Sequence, residues 1–146
     1  MAAGQKGCDL AEEQGTLVHP ELQAVHVILP ATPRAARMAR QAMRRALGSW
    51  SLTHMQVDAD LVVSELVGNA VRHGSGRRAE ITLRLKAANG CLRIEVHDAD
   101  PAMPVPRIPG ALDESGYGFV VVEALTTKWG IQETEMGKAV WTELAI

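Results

Sequence analysis

The chain has 146 residues, of which 47% are hydrophobic and 22% charged, and a formal net charge of -2. That length supports one domain with a real core and excludes two, and the charge balance implies no general affinity for nucleic acid. Two cysteines, Cys8 and Cys91, make neither a disulfide framework nor a zinc spacing, so a reducing cytoplasm is the expected setting. No apolar stretch follows Lys6 to suggest a signal peptide, and no apolar run approaches the length that crosses a membrane.

Residues 1–20, rich in Gly, Gln, Glu and Ala without a period, are expected to be a mobile tail, with the domain in 21–146. Leu22 to Leu29 reads as a strand closed by Pro30. Thr32 as N-cap and Pro33 in the first turn predict a helix to about Leu47, stopped by Gly48. Ala35, Ala36, Ala39, Met43 and Leu47 share one side of it, and Arg34, Arg37, Arg40, Arg44 and Arg45 the other. The arginines read as a solvated face or as a docking surface for an acidic partner. Trp50 to Met55 is a connector.

A second helix is predicted over Leu61 to Gly74, with Asp58 as a cap. Val62, Val63, Leu66, Val67, Ala70 and Val71 recur at the helical period and form a wide apolar face. Glu65, Asn69 and His73 stand four residues apart and stack along one edge of it. Such a row is either a solvated edge or one wall of a pocket, and spacing alone leaves both open.

Beyond a polar turn at Ser75 to Arg78, Ile81, Leu83 and Leu85 alternate with Thr82, Arg84 and Lys86, which gives a strand with one buried face. Asn89-Gly90 is a hairpin turn signal, and Leu92, Ile94 and Val96 alternate along the return strand. Four prolines from Pro101 to Pro109 make about 101–115 a loop, long enough to suggest function. Gly116-Tyr117-Gly118 then opens a short apolar helix, Phe119 to Leu125. Two strands follow, about Lys128 to Thr134 and Lys138 to Leu144, joined at Met136-Gly137. The order predicts an α+β, two-layer sandwich: a mixed, mostly antiparallel sheet with its helices on one face.

Several features carry chemistry when taken together. Glycines at a helix N-terminus allow close approach of phosphate, where free N–H groups and the helix dipole favour anions. The carboxamide oxygen of Asn69 is a hard ligand suited to Mg²⁺. The Glu65 carboxylate can orient or deprotonate an attacking hydroxyl. Asp98, just past a central strand, can accept a hydrogen bond from an adenine amino group.

The order of these features resembles the ATPase domain shared by gyrase, the heat-shock chaperones, sensor histidine kinases and mismatch-repair proteins, the Bergerat ATP-binding fold. More closely, the chain looks like the small stand-alone actinobacterial regulators related to anti-sigma-factor serine kinases. The matching runs are Leu29 to Arg34, Val62 to His73, Glu95 to Asp98, Ser115 to Leu125, Trp129 to Ile131 and Gly137 to Leu144. The resemblance implies ATP and Mg²⁺ as cofactors. It implies that Asn69 ligates the Mg²⁺ bridging the phosphates, that Glu65 is the general base and that Asp98 binds the adenine amino group. Gly116 and Gly118, with Tyr117 between them, would hold phosphates, about 99–115 would form a lid, and His73 would either contact nucleotide or pack. The implied partners are a sigma factor or an anti-sigma-factor antagonist carrying a serine or threonine, with a homodimer suggested by the relatives. A non-catalytic module of the same fold is the alternative.

The chain departs from that pattern in three places. Asp100 and its neighbours replace glycines after the adenine-binding acid and add negative charge. Tyr117 stands where the close branch often has Arg, which removes a phosphate partner. Lys138 and Ala139 follow Gly137 where many relatives have Thr near the adenine. Trp50, Trp129 and Trp141 read as packing residues, and His19, His26, His54 and His97 have no metal spacing.

Overall fold

The computed structural model describes residues 23–73, 80–98, 114–135 and 137–146, with the backbone alone for 73 and 114–118. The element order is β1 (Gln23–Pro30), α1 (Ala35–Ser49), a 3-10 turn (Thr53–Met55), α2 (Gln56–His73), β2 (Glu80–Ala88), β3 (Cys91–Asp98), α3 (Glu114–Leu125), β4 (Lys128–Thr134) and β5 (Gly137–Ala145). The strands form one sheet in the order β1-β2-β3-β5-β4. All four described pairings are antiparallel, so no parallel pair accompanies them.

Alternation along the strands separates the two faces of the sheet. Leu29, Ile81 and Asp98 stand in register, as do Val25, Leu85 and Ile94, and the same face continues on β5 through Lys138, Val140, Thr142 and Leu144. The helices cover this face. From α1, Ala35, Ala39, Met43, Ala46 and Leu47 are buried, and from α2, Ala59, Val62, Val63, Leu66, Val67 and Ala70. Together with Ile81, Leu83, Leu85, Leu92, Ile94 and Val96 they form one contiguous core. The helix α1 lies against β1 and β2, α2 lies against β3, and α3 packs beside α2.

The β2–β3 hairpin forms as expected. Asn89 and Gly90 both take positive φ, 51° and 72°, the backbone of a two-residue turn whose twist matches the strands it joins. β1 runs one residue further than expected, to Pro30, which an edge strand tolerates because its missing N–H faces no partner.

The start and end of α1 differ from expectation. Thr32 does not cap it through its hydroxyl; its carbonyl accepts the Ala35 N–H at 2.9 Å in a turn built on Pro33, and Arg34 stands at the cap position. Gly48 does not stop the helix. Ser51, at φ 57°, takes the left-handed position, while Leu52 N–H donates to the Leu47 carbonyl at 2.8 Å and Ser51 N–H to Gly48 at 3.4 Å. That is a Schellman closure with serine in the usual glycine position.

Helix α2 begins five residues earlier than expected, at Gln56, because the 3-10 turn feeds directly into it. Asp58 therefore lies inside the first turn, where its charge favours the helix dipole, and does not cap the end. Helix α3 begins at Glu114, so Gly116 and Gly118 lie within it and not ahead of it. The expected tail, the turn after α2 and the loop at 99–113 lie outside the described residues. Cys91 is disulfide-bonded, where the sequence suggested no disulfide framework and a reducing setting, and its partner also lies outside them. No helix among the described residues is long and apolar enough to cross a membrane.

Candidate functional site

The apolar row of α2 anchors the helix to the sheet and thereby fixes its polar edge. Glu65 and Asn69 are both half-buried there, one turn apart, beside the fully buried Leu66 and the buried Ala70. The Glu65 carboxylate has no hydrogen-bond or ion-pair partner among the described residues, so it is available to an incoming hydroxyl or water. The Asn69 side-chain oxygen accepts a 2.6 Å hydrogen bond from the Arg72 guanidinium. A cation taking that oxygen would displace Arg72, whose guanidinium would then be free to meet a phosphate. The backbone of His73 closes the row, and its side chain lies outside the described residues.

Two cross-links tie α2 to α1. Arg40 donates to the Ser64 hydroxyl at 3.1 Å, and Ser64 donates on to the Asp60 carbonyl at 2.6 Å. Arg44 reaches the Asp60 carboxylate at 3.3 Å. Two of the four arginines of α1 thus hold the neighbouring helix, a role that the choice between a solvated face and a docking surface did not include.

Asp98 ends β3 on the helix-covered face, the same layer into which the inner residues of α2 project. It is 3% exposed, and in register beside it stands Lys138, which is 4% exposed. The ammonium of Lys138 lies 3.9 Å from the Asp98 carboxylate. The alternation of β3 that buries Ile94 and Val96 carries Asp98 inward as well. In sequence, Lys138 was only a departure from a pattern; its partner is forty residues away and is found only through the β3–β5 register.

The opposite face of the sheet carries a second polar system. Arg93 Nε donates to Glu95 at 2.7 Å, Arg93 Nη1 donates to Glu143 at 2.9 Å, and His97 Nε2 lies 3.0 Å from the second oxygen of Glu95. The Arg93 guanidinium also stacks 4.3 Å from the Trp141 ring. Trp141 in turn lies over Gly130, so closely that a methyl group there would stand 2.7 Å from a ring carbon. Burial works to raise the pKa of Glu95. The hydrogen bonds from His97 and Arg93, with the charges of Arg93 and Lys86, outweigh it and hold the carboxyl at about 2. These residues join β3 to β5, the two strands that present Asp98 and Lys138.

On the far side of the site, Phe119 of α3 meets Trp129 of β4 edge to face, with ring centroids 4.8 Å apart. The Thr126 hydroxyl donates to the Val122 carbonyl at 2.7 Å and closes the last turn of α3. Tyr117 and the two glycines sit at the other end of this helix, where their backbone is helical.

Residues 29–143 match the family model described as the histidine kinase-like ATPase domain. The chain is also 31% identical to an uncharacterized protein of Streptomyces coelicolor over 86 residues, which are 57% of this chain and 81% of that protein.

Proposed function

From the premise that this chain belongs to the histidine kinase-like ATPase domain family, and is thereby an ATP-binding domain, we propose that it is a regulator of the anti-sigma-factor type. In this reading it transfers phosphate from Mg-ATP to a serine or threonine of an antagonist protein, and it sequesters a sigma factor. It works as a homodimer. The observation that carries the reading is the α2 edge: an unpartnered carboxylate at Glu65, one turn from the carboxamide oxygen of Asn69.

Each residue then has a task. Asp98 accepts a hydrogen bond from the base amino group, which fixes the nucleotide at one end. Asn69 would hold Mg²⁺ through its side-chain oxygen, the atom that now accepts from Arg72, and Arg72 would be placed to meet the phosphates. The ion would supply charge neutralisation there. Gly116 and Gly118 let the phosphates approach α3, and His73 and Tyr117 take part in nucleotide binding. Glu65 takes the proton of the incoming serine hydroxyl as its oxygen bonds to the terminal phosphorus and the bond to the departing diphosphate breaks. The chemistry asked of the protein is mainly positioning and charge placement.

The test is transfer of labelled phosphate from ATP to candidate antagonists, with Glu65→Ala alongside. Loss of transfer with nucleotide binding retained supports the base role, and equal transfer by the variant removes Glu65 from it.

A second reading is a non-catalytic capture module, favoured by the 2.6 Å bond that keeps Arg72 on Asn69. The negative charge of Asp100 and the missing cation at Tyr117 point the same way. Calorimetry with ATP and Mg²⁺ separates the two, since absence of binding at millimolar nucleotide leaves only capture.

A further inference from the structure

Lys138 is a buried cation whose donors are unmet. Its side chain is 6% exposed, the Asp98 carboxylate oxygen lies 3.9 Å away, beyond hydrogen-bond reach, and the ammonium makes no hydrogen bond among the described residues. An ammonium carries three donors and no acceptor, and burial without an acceptor is costly. Such a group costs stability unless something else supplies the acceptor. The group sits on the helix-covered face, in register with Asp98 on the adjoining strand. The two therefore present a donor and an acceptor side by side.

We infer that Lys138 reads the nucleotide base, donating to the ring nitrogen N1 of adenine while Asp98 accepts from the neighbouring amino group. The inference rests on the nucleotide reading above and names a residue for base selection within it. The complementarity is chemical and geometric. Adenine offers a donor and an acceptor on adjacent positions of one edge, the reverse of what the Asp98–Lys138 pair offers. Contacts of about 2.9 Å to two such neighbouring atoms, splayed within ordinary hydrogen-bond angles, reach protein groups up to about 4 Å apart, and the 3.9 Å separation lies within that reach. Binding the base thus meets the unmet donor and keeps the ion pair.

The test compares ATP with 1-deaza-ATP, in which N1 is replaced by C–H, by calorimetry in the presence of Mg²⁺. Wild-type protein is expected to bind ATP roughly ten- to a hundredfold more tightly, the range for a hydrogen bond from a charged donor. Lys138→Met is expected to bind the two alike, near the wild-type affinity for 1-deaza-ATP. The wild-type comparison needs no variant, so it decides the matter even where Lys138→Met is too unstable to purify. Wild type that binds ATP but does not distinguish 1-deaza-ATP overturns the role of Lys138 and leaves the nucleotide site standing. A Lys138→Met protein that binds ATP as tightly as wild type, or more tightly, overturns it too. Wild type that binds neither nucleotide overturns this inference and the nucleotide reading together.

Discussion

Glu95 offers the sharpest physical test of the sheet that carries the site. Glu95→Gln keeps the shape of the side chain and removes its charge, leaving Arg93 with Glu143 and the Trp141 ring. The carboxyl is held at about 2 in the folded protein against 4.5 ordinarily. At about 1.4 kcal/mol for each decade of proton affinity, that difference contributes about 3 kcal/mol at neutral pH. The sign follows from the direction of the shift. A depressed carboxyl stabilises the fold fully above pH 4.5, and the contribution is lost as pH falls toward 2. Urea unfolding, followed by tryptophan fluorescence at a series of pH values, measures it. Wild type is expected to exceed Glu95→Gln by about 3 kcal/mol at pH 7, with the two curves converging between pH 4.5 and 2. A difference that stays constant with pH would refute the reasoning, because it would show that packing and not charge is at stake.

Two further substitutions probe positions where backbone and side chain meet. Gly130→Ala puts a methyl group 2.7 Å from the Trp141 ring, so it should cost about 1–3 kcal/mol by overpacking; Gly130→Ala paired with Trp141→Leu, measured by the same unfolding assay, should recover most of the overpacking loss. Ser51→Gly relieves a non-glycine residue of a left-handed conformation at φ 57° and should raise stability by about 1 kcal/mol, which thermal unfolding would register as a melting point roughly 2–4 °C higher.

Much of the fold was legible because it depends on short-range signals. Asn89-Gly90 dictates a tight turn, and the alternating residues on either side of it assign the buried face. The last two strands fell close to their expected limits because Met136-Gly137 interrupts two β-rich runs. The polar edge of α2 was legible as a row, since helical spacing alone brings Glu65 and Asn69 together. What could not be read depends on partners distant in sequence or on backbone geometry. Arg93 and Glu143 are fifty residues apart and meet only through the β3–β5 register. The same register pairs Lys138 with Asp98. His97 has no metal spacing in sequence, and its partner, Glu95, lies two residues away on the same face. Arg72 lies within one helical turn of Asn69, at a spacing where helical side chains meet, but the apolar period carries no sign of it. At the end of α1, a glycine at 48 suggested a stop that the backbone reaches three residues later, at a serine.

In β3 the two faces carry different work. Arg93, Glu95 and His97 point to the helix-free side, while Ile94, Val96 and Asp98 point into the layer beneath the helices. The strand is therefore read in a two-letter frame. Losing or gaining one residue between Arg93 and Asp98 would shift that frame, sending the acid to the outer surface and a charge of the clamp into the core. Chain length within these six positions is thus as constrained as the identity of the acid itself, whereas an insertion before Cys91 leaves the frame intact.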